Sequence, residues 1–147
     1  MTRIDFYLLS SKHANASERT ACRLAEKAYN LRHAIYIHTG SQQRTAQMDN
    51  LLWTFRDGSF IPHQMHGQDE SHNSPVIIGH QTSPDEELTT HHQLLINLDQ
   101  TVPSFFSRFE RVAEIVSADE QQRQAARERF RFYRERGYEL ETHELAG

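Results

Sequence analysis

The first third of the chain alternates between short apolar runs and amphipathic segments, and this alternation constrains the fold more than any other feature. The runs RIDFYLL (3–9) and HAIYIHT (33–39) have the length and residue types of strands. The segments 15–31 and 41–55 carry apolar residues at helical spacing. Strands that alternate with helices predict a parallel sheet with crossover helices, and therefore an α/β fold.

The rest of the chain continues this pattern less regularly. Further strands are predicted at 75–80, 92–99, 109–117 and 138–142. A helical turn is predicted at 103–109 and a long helix at 118–136, whereas the polar segments 56–75 and 81–91 are typical of loops. A chain of 147 residues with these elements predicts a single domain that covers 1–147.

Residues at the predicted helix ends support these boundaries. Ser17 and Ser41 are candidate N-caps of the first two helices. Asp119 and Glu120 favour the start of the long helix, because acids are stabilised by the positive end of a helix dipole. Gly137 is a candidate C-cap, since glycine readily adopts the left-handed backbone found there.

Composition narrows the class of protein. The single cysteine, Cys22, excludes an internal disulfide and indicates a reducing compartment. No apolar run approaches the roughly 18 residues of a membrane span, and the N-terminal segment has no signal-peptide cleavage pattern. We therefore predict a cytoplasmic protein with no membrane partner.

A parallel α/β sheet raises the question of nucleotide binding. Neither GxGxxG nor GxxxxGK[ST] occurs, and the segment SSKHANAS after the first strand has no glycine. Phosphate-binding loops of these classes need glycine where the backbone approaches the phosphates. We therefore predict no nucleotide and no other cofactor.

Ten histidines invite a metal interpretation, and the closest pairs are His63 with His66 in HQMH and His91 with His92. No HExxH motif and no second cysteine supports a zinc site, and these histidines fall in predicted loops or at their edges. Cys22 lies inside a predicted helix, where a small core residue is expected, and no GxSxG elbow occurs. We predict no metal and no catalytic residues. Elemental analysis would test the alternative of a hydrolase or metalloenzyme that uses the histidines.

The predicted C-terminal helix has a charge unlike that of the rest of the chain. Six arginines against two acids give residues 121–136 a charge of +4, and because the net charge is −4 the remainder carries −8. A general nucleic-acid binder would spread positive charge more widely. Confinement to one element indicates a local anionic partner.

Helical periodicity places most of this positive charge on one face. At about 100° per residue the face contains four arginines, Arg123, Arg127, Arg131 and Arg134. Phe130 lies at its edge, Ala126, Arg129 and Tyr133 turn toward the core, and both acids of the stretch project elsewhere. Like charges at this spacing are destabilising, whereas guanidinium groups bind carboxylates bidentately. An acidic peptide with a hydrophobic end and a free carboxylate fits this face.

Two other interpretations of the arginine face stay open. Most charge runs on helices are simply solvated surface. Direct binding of single-stranded nucleic acid is the functional alternative, although such binders usually combine spread basic charge with several stacking aromatics. Binding that survives removal of an acidic tail from the partner would favour the nucleic-acid interpretation.

The segment LLWTFRDGSFIPH (51–63) concentrates aromatic residues at the end of a predicted helix and in the loop after it. We expect Trp53 to pack in the core. Phe60 falls in a Gly/Ser/Pro loop, where an aromatic is a candidate contact for a protein partner.

Taken in order along the chain, several motifs together resemble the chi subunit family of bacterial DNA polymerase III. They are FYLL, LW followed by SFIPH, PVII, LLINL, FERVAEIV and QAARERFRFYRERGYEL. The C-terminal block is the most specific of them, whereas 64–92 matches poorly. The resemblance implies a single-domain, Rossmann-like, three-layer fold with a mostly parallel central sheet, and no catalytic activity.

The resemblance also implies partners. Chi proteins join the clamp loader through the psi subunit, and they bind the acidic C-terminal tail of single-stranded-DNA-binding protein (SSB), which ends in Pro-Phe with a free carboxylate. The psi-facing position in SFIPH would be Phe60, with Trp53 and Pro62 nearby. A helicase-like repair protein uses the same surface in some chi proteins.

The resemblance of the C-terminal block to the family implies which residues of this chain would bind the SSB tail. By alignment they are Val116, Arg123, Arg127, Phe130 and Arg131. The family often has Lys where Arg123 and Arg131 stand, so the charge is kept. It often has Tyr where Phe130 stands, so a phenolic hydroxyl is lost.

Overall fold

A computed structural model describes residues 2–66, 74–80 and 93–145 of the chain. The strands are β1 (Arg3–Leu9), β2 (Ile35–His38), β3 (His63–Met65), β4 (Val76–Gly79), β5 (Leu94–Asn97), β6 (Arg111–Val116) and β7 (Glu139–Leu145). The helices are α1 (Ala16–Asn30), α2 (Gln42–Thr54) and α3 (Glu120–Glu135), with a short 3₁₀ turn at Phe106–Arg108.

The seven strands form one sheet in the order β3-β4-β2-β5-β6-β1-β7. Every strand pairing within the described residues is parallel, so the predicted parallel sheet is confirmed. The strands β3 and β7 form the two opposite edges.

Side chains alternate across the sheet and build a hydrophobic layer on each face. Ile35 and Ile37 of β2 pack on the side of α1 and α2, which contribute Cys22 and Met48 to that layer. Tyr36, between the two isoleucines, faces the opposite side, where α3 and the 3₁₀ turn pack. The architecture is therefore a Rossmann-like three-layer α/β fold, as predicted. No helix in the described part of the chain is long and apolar enough to cross a membrane.

The helix ends follow the predictions at three of four places. The Ser41 side chain accepts a hydrogen bond from the backbone N–H of Arg44, and Gly137 has the left-handed φ of +80°. The Asp119 side chain accepts a hydrogen bond from the N–H of Gln122. The prediction of Ser17 as a cap was wrong, because α1 begins at Ala16, one residue before Ser17.

One strand was missed in the predicted loop 56–75. The strand β3 has only three residues, two of them polar, so it shows no recognisable period-2 pattern. Parallel pairing with β4 defines it, which is a long-range interaction that local sequence does not report. The predicted loop 81–91 and the pair His91 and His92 lie outside the described residues.

Candidate functional site

A buried polar network fixes α3 on the sheet. The carboxylate of Glu114, on β6, accepts hydrogen bonds from Arg129 Nε at 2.9 Å and from the Tyr133 hydroxyl at 2.7 Å. The Asn97 side-chain amide donates to the same carboxylate, at 2.9 Å and 3.1 Å to its two oxygens. All four side chains are buried, so the network fixes the distance of α3 from the sheet and the rotation of α3 about its own axis.

Opposing effects act on the ionisation of Glu114. Burial raises the pKa of its carboxyl group, because the charged form loses its hydration. The charge of Arg129 and the hydrogen bonds from Tyr133, Asn97 and Arg129 favour the charged form and oppose that rise. Arg129 also connects the network to the loop that follows β5, because its Nη1 donates to the carbonyl oxygen of Gln100 at 2.9 Å.

With α3 held in this way, its other face borders a groove of about 370 Å³, here called the α3 groove. The lining residues are Phe6, Leu8, Val116, Arg123, Ala126, Arg127, Phe130, Arg131, Arg134 and Thr142. Apolar side chains from the sheet form one part of this lining, and four guanidinium groups from the helix form another. The groove can therefore accept a ligand that has both an apolar group and negative charge.

Strand pairing explains the apolar part of the groove. In the parallel register Leu8 of β1 lies opposite Val116 of β6, and Phe6 lies opposite Thr142 of β7. Three neighbouring strands thus present alternate residues on the same face, below α3. The ring of Phe130 packs against Phe6, with 5.4 Å between ring centroids, and closes this part of the groove.

The four cations of the α3 groove have different surroundings. Arg123 Nη2 donates to the carbonyl oxygen of Leu9 at 3.1 Å, and the Arg134 guanidinium lies 5.9 Å from the Phe130 ring centroid. Within the described residues the Arg131 side chain has no hydrogen bond or ion pair, and it is exposed.

The expectation that no acid offsets the arginine face was wrong at one position. Arg127 Nη1 lies 3.4 Å from a carboxylate oxygen of Glu120 and 2.8 Å from the side-chain oxygen of Gln124. The charge count began at residue 121 and so omitted Glu120, which lies two helical turns before Arg127. Both members of the ion pair are largely exposed, so the contact is weak.

The α3 groove brings together all five residues expected from the resemblance, namely Val116, Arg123, Arg127, Phe130 and Arg131. Sequence reasoning assigned Arg134 to the charged face and Ala126 to the core side, and both line the groove. It missed Phe6, Leu8 and Thr142. The alternation of side chains along β1 could have placed Phe6 and Leu8 on one face. Thr142 could not have been predicted, because the position of β7 beside β1 follows only from the order of strands in the sheet.

Comparison with known proteins identifies the family of the chain. The family described as DNA polymerase III chi subunit, HolC, matches residues 1–141. The chain belongs to the DNA polymerase III chi subunit family. This confirms the resemblance, and DNA replication is the process in which the family acts.

Three relatives, each named DNA polymerase III subunit chi, show how closely members of the family resemble this chain. The protein from Pseudomonas aeruginosa is 43% identical over 145 residues, which cover 99% of this chain and 98% of the relative. The Haemophilus influenzae protein is 28% identical over 137 residues, with 93% of each chain covered. The Escherichia coli protein is 27% identical over 146 residues, with 97% of each chain covered.

A second surface of this chi-family protein exposes aromatic side chains near the opposite edge of the sheet. Trp53 is 49% exposed and Phe60 is 68% exposed, with 5.5 Å between their ring centroids. Pro62 is partly buried beside them and precedes β3. The prediction that Trp53 packs in the core was wrong, because the buried face of α2 runs through Met48 and Leu52 and the next residue turns outward.

The histidines of HQMH have structural surroundings. The ring nitrogens of His63 lie 2.7 Å from the carbonyl oxygen of Ile61 and 3.0 Å from that of Asp49, and the ring is buried beneath Trp53. The ring of His66 packs edge-on against Tyr36. These contacts hold both rings in the fold.

Two further groups bear on the metal and nucleophile interpretations. In the described part of the chain, Asp5, Glu141 and His143 are close enough to bind one metal ion, but Arg111 Nε already lies 2.7 Å from the Asp5 carboxylate. Burial raises the pKa of the Cys22 thiol to about 12, so the reactive thiolate is scarce at neutral pH.

Proposed function

We propose that this chi-family protein is a non-catalytic adaptor of the DNA polymerase III clamp loader. It binds the acidic C-terminal tail of SSB in the α3 groove and joins the clamp loader through psi. The observation that carries this proposal is the composition of the α3 groove, where four guanidinium groups adjoin an apolar floor. A peptide that ends in an aromatic residue with a free carboxylate fits both parts at once.

Each part of the tail has a counterpart in the groove. The terminal Phe side chain packs on Leu8 and Val116, beside the Phe130 ring. The terminal carboxylate and nearby acids pair with Arg127 and Arg131, which project from α3 at one-turn spacing. The Phe130 ring lacks the hydroxyl of the Tyr common in the family, so it contributes packing and no hydrogen bond.

Exposed charge pairs are screened by salt, so binding to the α3 groove weakens as ionic strength rises. A moderate affinity for one tail still suffices, because SSB is a tetramer that presents several tails and thereby raises the effective concentration.

Titration with a fluorescent peptide tests the proposal. The peptide has about ten residues, a usual length for a linear motif, is acidic, and ends in Asp-Phe-Pro-Phe. We expect saturable binding that Arg127→Ala weakens about tenfold, because hydrogen bonds to charged groups are lost. A peptide without the final Phe should bind much more weakly.

The matched control is Arg136→Ala, which removes the same charge from the end of α3 outside the groove. It should bind the peptide like the unaltered protein. If the peptide fails to bind while a single-stranded DNA oligonucleotide binds and Arg127→Ala abolishes that binding, the adaptor proposal is wrong and the nucleic-acid alternative is correct.

The exposed pair Trp53 and Phe60 is the proposed surface for psi. Phe60→Ala should weaken the complex with psi by at least about tenfold, because exposed aromatics that become buried dominate interfaces. Leu31→Ala is the control, since Leu31 is also a large exposed apolar residue, at 62% exposed. Titration calorimetry with purified psi measures both variants. If Phe60→Ala and Leu31→Ala bind psi with equal affinity, this surface does not bind psi. Both variants and the unaltered protein should bind the tail peptide in the α3 groove with the same affinity.

A further inference from the structure

A second groove lies at the C-terminal end of β1, on the side of α1. Residues 10–15, which connect β1 to α1, line it together with Ala16, Arg19 and Arg23 of the helix. Its volume is about 850 Å³. We call it the α1 groove.

The α1 groove is positively charged. Its lining includes Lys12, Arg19 and Arg23, with His13 as a further cation when protonated, and none of its lining residues carries a carboxylate. Arg19 Nη2 donates to the carbonyl oxygen of Phe55 at 3.2 Å. Because that partner is neutral, the hydrogen bond orients the guanidinium without cancelling its charge. In a chain with a net charge of −4, such a concentration of cations favours an acidic ligand.

Residues only two positions apart at the end of β1 line the two grooves. Leu8 lines the α3 groove and Ser10 lines the α1 groove. Between them, the carbonyl oxygen of Leu9 accepts a hydrogen bond from Arg123, which itself lines the α3 groove. An extended peptide advances about 3.3 Å per residue, so six residues upstream of a bound C-terminus reach roughly 20 Å.

We propose that the α1 groove binds the acidic residues that precede the C-terminal segment of the same tail. This inference rests on the proposed function, because it requires the tail to enter the α3 groove first. Lys12 and Arg23 then contact upstream carboxylates, while the terminal Phe stays between α3 and the sheet. An acidic peptide fits better than a nucleic acid, since no Phe, Tyr or Trp lines the α1 groove to stack with bases.

Two peptides of equal length separate the grooves. Both have about ten residues and end in Asp-Phe-Pro-Phe, but the upstream residues are mainly Asp in one and Asn in the other. The double variant Lys12→Gln with Arg23→Gln should bind the Asp peptide about three- to tenfold more weakly at low salt, as expected for two exposed charge pairs. It should bind the Asn peptide with unchanged affinity.

The control is Lys27→Gln with Arg136→Gln, which removes the same charge outside both grooves. It should leave both affinities close to those of the unaltered protein, so a general charge effect is distinguished from a local one. Circular dichroism of each variant checks that the fold is kept.

Equal affinity of the Lys12/Arg23 variant and its control for the Asp peptide would overturn this inference and leave the proposed function intact. Failure of the unaltered protein to bind either peptide would overturn both. If the Lys12/Arg23 variant loses only the binding of a single-stranded DNA oligonucleotide, the α1 groove contacts nucleic acid and the inference is wrong.

Discussion

Replacing Arg129 with alanine is expected to lower the free energy of unfolding by about 3–5 kcal/mol, because the change leaves a buried carboxylate without its charged partner. Glu114 is fully buried and Arg129 is only 4% exposed, so water cannot replace the missing guanidinium. The hydrogen bond from Arg129 to the carbonyl oxygen of Gln100 is lost as well. Urea denaturation followed by circular dichroism measures the change.

Arg131→Ala is the matched control, since it removes an exposed arginine from the same helix two residues later. Its unfolding free energy should stay within about 0.5 kcal/mol of that of the unaltered protein. Equal denaturation midpoints for the two variants would show that the Glu114 network does not stabilise the fold.

Phe130→Ala is expected to weaken binding of the Asp-Phe-Pro-Phe peptide about 30-fold, which corresponds to the roughly 2 kcal/mol of a hot-spot residue. The Phe130 ring packs on Phe6 and borders the apolar floor of the α3 groove. Its removal takes away the surface that would bury the terminal Phe of the tail. Fluorescence anisotropy with the labelled peptide measures the loss.

Phe132→Ala separates this effect from a general loss of packing. Phe132 is also a partly buried aromatic of α3, but it packs against Phe106 and Arg136 and does not line the groove. The variant should therefore lose stability while retaining peptide affinity. If Phe130→Ala and Phe132→Ala bind the peptide equally well, the terminal side chain does not lie where we place it.

Local periodicity predicted most of the fold but not all of it. The strand β1 was visible as a nearly continuous apolar run, and the helix α3 was visible because its charged and apolar residues recur at helical spacing. The strand β3 was not, since three residues are too few to show a repeat and its pairing with β4 is set at long range. Trp53 was misplaced because one residue along a helix turns a side chain by about 100°, enough to move it from the core to the surface.

The candidate site was predictable to the extent that one helix contributes to it. Helical spacing alone placed Arg123, Arg127 and Arg131 on one face, and the structure shows all three along the α3 groove. The floor was not predictable, because Leu8 and Thr142 come from strands whose adjacency depends on the order of the whole sheet. Family resemblance supplied Val116, which periodicity did not distinguish from other buried strand residues.

Because Glu120 contacts Arg127, a carboxylate of the protein itself competes with ligand acids for the α3 groove. A ligand acid that binds Arg127 at Nη1 exchanges with a carboxylate of the protein's own helix, which lies 3.4 Å from that atom. An isolated carboxylate therefore gains little binding free energy at this atom. A ligand with several acids and an apolar terminus gains further binding free energy from its other contacts in the groove. Because both members of this pair are largely exposed, the effect on the proposed tail binding is small, and it favours ligands that contact the groove at several points.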